Sequence, residues 1–77
     1  MIEQKSIYTI DEIVDKIVVD TNGNHIGHLL EILADVNTGA INEIIVRAKN
    51  AKGEFKNVTF PFNRVESIAD YVVVNRK

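Results

Sequence analysis

The sequence contains no cysteine and no tryptophan, and only one proline among its 77 residues. Without cysteine the chain has neither a disulfide framework nor a thiolate metal site, the usual supports of a small secreted domain. No segment approaches the roughly 20 apolar residues of a membrane-spanning helix, and the first residues lack the pattern of a secretory signal. These absences favour a cytoplasmic location with no membrane contact.

A large excess of charge of one sign is also lacking. Nine basic and eleven acidic side chains give a formal net charge of −2, so the chain has no overall attraction to nucleic acid or to an anionic membrane. The length predicts a single domain over residues 1–77. A chain this short buries only about 60% of its unfolded surface, so closure of its strands or pairing of two copies would add stability.

Two short-range signals organise the first third of the chain. Thr9-Ile10-Asp11-Glu12 matches the capping box, which predicts one or two helical turns over residues 10–15. The β-branched run that follows predicts a strand over residues 16–21. Asn22-Gly23 then favours a type I′ turn, so the chain reverses there as a hairpin.

The turn at Asn22-Gly23 fixes an expected register for the second strand. Ile17 would face His28 and Val19 would face Ile26. The even-numbered side of the second strand is the more apolar, so it is predicted to face the core together with Ile17 and Val19. Its members are Ile26, His28, Leu30, Ile32, Ala34 and Val36.

Leu29 and Leu33 lie on the opposite, odd-numbered side of this strand. Gly27 has no side chain to pack and predicts a bend or bulge. Two interpretations remain open: a bulge at Gly27 turns the two leucines inward, or they form an exposed apolar patch of the kind that marks an interface. The second makes Leu29 and Leu33 candidates for contact with a protein partner or with a second copy of the chain.

The rest of the chain continues with turn signals at short intervals. Val36-Asn37-Thr38-Gly39 predicts a turn with Gly39 in the left-handed region. Strands are predicted over residues 40–48, 55–60 and 71–74, with an exposed connection over 49–54 and one helical turn joining Phe62 to Val65. Ala69-Asp70 predicts a last tight turn. The absence of a long helical period predicts an all-β barrel or sandwich.

Two runs of motifs follow one another along the chain. The first comprises Lys16-Ile17-Val18, Asn22-Gly23, Ile26-Gly27, Asp35 and Gly39. The second comprises Ile44-Ile45-Val46, Pro61-Phe62, Val65, Ile68, Asp70 and Tyr71-Val72-Val73-Val74. In order and spacing they resemble the PRC-barrel family, over about residues 9–75. One departure is Ala69-Asp70, where the final turn of the family often carries glycine.

The resemblance implies a mostly β fold: a small five- to six-stranded PRC-type β-barrel with one or two short helical turns. Members of the family are adaptors in bacterial ribosome maturation and in photosynthetic reaction centres. Others are short free-standing archaeal proteins, some of them associated with cell division. We therefore expect a non-enzymatic protein-interaction adaptor of this archaeal type, with no cofactor, in cell division or another cytosolic assembly. The alternative is an accessory RNA- or ribosome-associated domain in RNA processing or ribosome maturation.

The residues with reactive side chains do not form a catalytic or metal-binding pattern. His25 and His28 are three positions apart on a predicted strand, so they are expected on opposite faces, unable to share a metal ion. Glu31 and Asp35 would lie roughly 13 Å apart on one strand, too far for a shared acid and base site. We expect no catalytic residue and no metal site.

A local basic cluster supports the RNA alternative. Its members are Arg47, Lys49, Lys52 and Lys56, opposed only by Glu54. Phosphate contacts from these residues, with Phe55 as an aromatic platform for a base, would suit nucleic acid. The other interpretation, which we favour, is a solvated loop with Phe55 packed into the core.

Overall fold

Strands make up most of the part of the chain that the computed structural model describes, residues 10–76. In chain order the elements are α1 (Ile10–Ile13), β1 (Ile17–Asp20), β2 (His25–Ala34), β3 (Ile41–Lys49), β4 (Phe55–Pro61), the 3-10 turn η1 (Phe62–Arg64), β5 (Val65–Ile68) and β6 (Tyr71–Val74). This confirms the predicted mostly β fold with short helical turns. Thr9, the first residue of the predicted capping box, lies outside the described residues.

The six strands form one mixed sheet in the order β4-β3-β2-β1-β6-β5. Only β1 and β6 run parallel; the other neighbouring pairs are antiparallel. The first and last strands of this order, β4 and β5, are joined in sequence through η1 but are not neighbours in the sheet. The sheet therefore curls as a small barrel that stays open between β4 and β5.

The first hairpin turn differs from the predicted type I′ turn. The Gly23 N–H donates to the carbonyl of Asp20 at 2.9 Å. Gly23 has a φ of 85°, whereas Asn22 does not adopt a positive φ. The turn therefore runs from Asp20 to Gly23 with glycine alone left-handed, an arrangement typical of a type I turn followed by a bulge.

This turn is longer than the predicted two-residue turn, and it changes the pairing of β1 with β2. Ile17 pairs with His28 as predicted, but Val19 pairs with His25 in place of Ile26. Ile26 is therefore an extra residue in β2, a β-bulge. Its insertion moves every residue between the bulge and the turn to the other side of the strand.

Over β1 and the first part of β2 the core lies on the side of the sheet opposite to the one predicted, whereas Ile26 and Ile32, two members of the predicted side, do pack against it. β1 buries Val18, and β2 buries Gly27 and Leu29, while His28 is exposed and Val36 is 96% exposed. Three apolar residues in a row, at positions 17–19, made the two sides of β1 indistinguishable by hydropathy. The buried hydrophobic residues are Ile13, Val18, Leu29, Ile44, Val46, Val72 and Val74.

A second bulge in β2 reverses its sides again further along. The pairing with β3 shifts between Leu29 and Glu31, which makes Leu30 the extra residue. Beyond it Ile32 packs against the core while Leu33 is 40% exposed. The predicted bulge at Gly27 was thus misplaced, since the two bulges flank this glycine.

The second half of the chain follows the predicted turns closely. Gly39 has a φ of 74°, and its N–H donates to the carbonyl of Asp35 at 2.7 Å. β5 had not been predicted, because the spacing of Phe62 and Val65 indicated a helical turn that in fact ends at Arg64. Among residues 10–76 no helix is long and apolar enough to span a membrane.

Candidate binding face of the sheet

One side of the sheet packs on the core, and the other, which we call the outer face, presents the candidate site. Residues paired across neighbouring strands share a side of the sheet. Tyr71, Ile17, His28, Arg47 and Asn57 form such a row from β6 to β4. All are exposed except Ile17, which is half-buried. The row therefore crosses five strands on the outer face.

Basic side chains and one aromatic ring occupy the outer face over β2, β3 and β4. We call this group the cationic cluster; it consists of His25, His28, Arg47, Lys49 and Phe55. The guanidinium carbon of Arg47 lies 4.4 Å from the centre of the Phe55 ring, and the Lys49 ammonium lies 5.7 Å from it. These side chains, together with Ile26 and Gly27, line a depression of about 300 Å³. Cation–π contact holds the Arg47 head over the ring.

His25 and His28 lie on the same side of β2, contrary to the prediction. Their ring centroids are 5.8 Å apart in an edge-to-face arrangement. The Ile26 bulge between them adds a residue, so a spacing of three brings both rings to one side. Residues 10–76 contain no group of three or more histidine or acidic side chains that could hold a metal ion. With Arg47 and Lys49 beside them, the two rings suit an anion better than a cation.

Arg47 and Lys49 are not neutralised by carboxylates in the part of the chain that the structure describes. No ion pair involves either of them there, whereas Arg76 pairs with Asp20 at 3.8 Å. The outer face also carries Glu31 and Glu43, but these lie towards the other end of β2 and β3. The outer face is therefore positive at the end near Phe55 and negative at the other.

The structure brings together only two of the four predicted basic candidates. Lys56 pairs with Ala48 and so lies on the opposite side of the sheet from Arg47 and Lys49. Lys52 belongs to the turn before β4, where its backbone N–H donates to the Asn50 side chain at 2.9 Å. The favoured interpretation of the neighbouring ring was wrong: Phe55 is 59% exposed, not packed in the core.

An apolar strip adjoins the cationic cluster on β1 and β6. It consists of Ile17, Val19, Tyr71 and Val73, which pair in parallel register. Tyr71 is 50% exposed and the other three are half-buried. Three of them, together with His25, line a depression of about 430 Å³. Sequence reasoning missed this strip because it assigned Ile17 and Val19 to the core; the uninterrupted apolar runs in β1 and β6 were the available signal.

The two leucines proposed for a partner separate in the structure. Leu29 is 1% exposed and forms part of the core, so it cannot contact a partner in this fold. Its inward position results from the bulge at Leu30, which lets both Leu29 and Ile32 face inward although their numbers differ in parity. Leu33 lies on the outer face opposite Glu43 and remains available.

Asp20 is the buried polar side chain of the described core, 6% exposed, and its role is structural. Its carboxylate accepts the backbone N–H groups of Asn22 and Asn24, each at 2.9 Å. The hydrogen bond from the Asn24 backbone is the main cause that lowers the pKa of Asp20, with burial opposing it; the Asn24 amide, Asn22 and Arg76 also lower it. The carboxylate thus closes the first hairpin turn.

Comparison with known families agrees with this architecture. A family model described as the PRC-barrel domain matches residues 5–77. The chain belongs to the PRC-barrel domain family. Membership points to a small interaction module rather than to a particular pathway. A search of curated proteins gave no match.

Proposed function

We propose that this PRC-barrel domain is a non-enzymatic adaptor that docks a protein partner on the outer face of its sheet. The observation that carries the proposal is the apolar strip, which leaves Tyr71 half exposed beside Ile17 and Val19 on the side away from the core. Contiguous exposed apolar surface marks interaction sites, and tyrosine is enriched at them. Family membership supports an adaptor role. The proposed setting is a cytosolic assembly such as that for cell division.

The test compares the sets of proteins that the wild type and two variants capture from a lysate of the native organism. Tyr71→Asp places a charge in the apolar strip, whereas Val36→Asp places the same charge at a residue 96% exposed in the turn after β2. We expect a specific set of proteins to be retained by the wild type and by Val36→Asp, and lost with Tyr71→Asp. Identical capture by all three proteins would refute docking on this strip.

Self-association is part of the same proposal, with Leu33 as the exposed apolar residue concerned. A second copy of the chain is one partner that the outer face could bind, since two-fold dimers are the commonest oligomers of soluble proteins. Light scattering across a concentration series should show a dimer for the wild type and a monomer for Leu33→Asp. A monomer at every concentration of wild type would remove self-association.

A second candidate function is RNA binding, which the exposure of Phe55 beside Arg47 and Lys49 favours. Proteins that bind single-stranded nucleic acids use aromatic rings on which the bases stack and flanking cations that contact the phosphates. Fluorescence anisotropy with structured and single-stranded RNA should then show binding that weakens as salt rises. No change in anisotropy at low salt would exclude it.

A further inference from the structure

We propose that the partner segment is acidic with an apolar anchor: its apolar side chain lies in the strip at Tyr71 and Ile17, and its carboxylates bind Arg47 and Lys49. This inference rests on the proposed function, because it names the chemistry of the partner for the same outer face. The inference is narrower than a general docking surface, because the partner must contact the apolar strip and the cationic cluster at the same time.

The two depressions on the outer face form one continuous site. His25 lines both of them, so the apolar strip and the cationic cluster share a border. The row from Tyr71 through Ile17 and His28 to Arg47 spans three neighbouring strand pairs. At about 4.8 Å per strand spacing the row is roughly 14 Å long. An extended peptide covers that length with about four residues, which sets the expected separation of anchor and carboxylate.

The cationic cluster is preorganised to bind carboxylates. Cation–π contact with Phe55 orients the Arg47 guanidinium, at 4.4 Å from the ring centre, and reduces the freedom that binding would otherwise remove. A planar guanidinium matches a carboxylate with two parallel hydrogen bonds. Lys49 and the ring N–H groups of the two histidines add donors beside it. Neither Arg47 nor Lys49 is paired with a carboxylate among residues 10–76.

Three observations favour an acidic peptide over a nucleic acid. Arg47 lies over the Phe55 ring, so that face of the ring is not free to stack a base. Only Arg47 and Lys49 of the basic candidates share the outer face, which gives few phosphate contacts. Glu31 and Glu43 lie on the same face and would repel a phosphate backbone continuing along β2 and β3.

The experiment measures fluorescence anisotropy of labelled synthetic peptides with the full chain. The probe peptide carries glutamates and one leucine about four residues from the nearest glutamate. Three comparison probes replace the glutamates by glutamine, replace the leucine by serine, or use oligouridylate of equal charge. We expect binding of the probe peptide, weakened about tenfold or more by either peptide change and by raising salt from about 50 to 300 mM.

The protein variants locate the binding. Arg47→Glu with Lys49→Glu should weaken the probe peptide about tenfold or more, and Tyr71→Ser should weaken it similarly. Lys56→Glu is the matched control, since it reverses one charge on the opposite side of the sheet and should leave affinity unchanged. Thermal unfolding of each variant verifies that it is folded; Tyr71 and Arg47 are exposed, so the core stays intact.

The inference is overturned if the probe peptide does not bind, if the double charge reversal leaves its affinity unchanged, or if oligouridylate binds more tightly. Its failure is distinguishable from that of the proposed function. Lysate capture lost with Tyr71→Asp but retained with the double charge reversal leaves the adaptor proposal standing and refutes the acidic partner. Capture unaffected by either change refutes both.

Discussion

Leu29 and Leu33 show how a single bulge gives two similar residues opposite roles. Both are leucines of β2, four positions apart, yet Leu29 is 1% exposed and Leu33 is 40% exposed. The burial of Leu29 removes almost its whole side chain from water, and its neighbours in the core cannot refill the space if it is shortened. Leu33 has no comparable packing to lose.

Leu29→Ala should therefore lower the free energy of unfolding by about 2–5 kcal/mol, as buried leucine truncations do. Leu33→Ala, the control in the same strand, should cost less than about 1 kcal/mol. Urea unfolding followed by circular dichroism measures both. Equal losses for the two variants would show that the sides of β2 are assigned incorrectly.

Asp20 couples the first hairpin to pH. Its pKa in the folded chain is lowered from 3.8, chiefly by the hydrogen bond from the Asn24 backbone N–H. The unfolded chain therefore takes up a proton on Asp20 before the folded chain does. The stabilisation from this carboxylate is present at neutral pH and is lost as the pH falls below that ordinary value through the lowered one.

We expect Asp20→Asn to unfold more easily than the wild type at pH 7 and to lose less stability than the wild type between about pH 4 and 2. The reason is that the variant has already lost the charged acceptor. Asp70→Asn, at an exposed residue in the turn before β6, serves as the control and should change the stability at pH 7 by less than about 0.5 kcal/mol. Thermal unfolding over a pH series measures this, and parallel curves for wild type and Asp20→Asn would contradict it.

At the scale of elements, β2 decides the arrangement of the site. It pairs with both β1 and β3, and its two bulges face different neighbours: Ile26 is extra against β1 and Leu30 against β3. Between them Gly27 pairs with Val18 on one side and Ala48 on the other. Bulges bend a strand and increase its twist, so β2 is where the sheet curls.

Gly27→Ala should destabilise the fold by about 3 kcal/mol or more, because a β-carbon there would collide with the carbonyl oxygen of Arg47 in the neighbouring strand. The control is Gly39→Ala. Gly39 has a φ of 74° but nothing near its missing β-carbon, so only backbone strain of about 1–2 kcal/mol applies. Chemical denaturation separates the two. A Gly27→Ala variant as stable as Gly39→Ala would show that β2 and β3 are not so close.

At the scale of the whole molecule, the sheet is expected to be most stable against local unfolding at its centre and least stable along its open side. β1, β2 and β3 each pair on both sides, whereas β4 and β5 pair on one side only. The buried residues Val18, Leu29 and Val46 belong to the central strands. Local opening is expected to begin where backbone hydrogen bonds face solvent.

Amide hydrogen exchange should reflect this difference. The Leu29 N–H, which donates to the Lys16 carbonyl at 2.9 Å, should exchange only on global unfolding. The Gly53 N–H, in the turn before β4, should exchange at least about 100-fold faster. Exchange monitored by NMR measures both amides, and comparable rates would mean that the turn before β4 opens no more readily than the centre of the sheet.

The amino-acid sequence by itself determined most of the elements and the family. Turn residues and β-branched runs are local signals, so the positions of the main strands, the left-handed Gly39 and the pairing of Ile17 with His28 could be predicted. The order of those signals carried the resemblance that the family match over residues 5–77 confirms. The sequence also predicted that Arg47 and Lys49 belong to one basic region near Phe55.

Only the tertiary structure decided which side of each strand faces the core. A strand with apolar residues on both sides carries no preference in hydropathy, and each inserted residue reverses every side chain beyond it. The Ile26 bulge placed His25 beside His28, and the Leu30 bulge buried Leu29 while leaving Leu33 exposed. The outer face, with its apolar strip next to its cationic cluster, is a consequence of how five strands pair, and no local stretch of sequence encodes it.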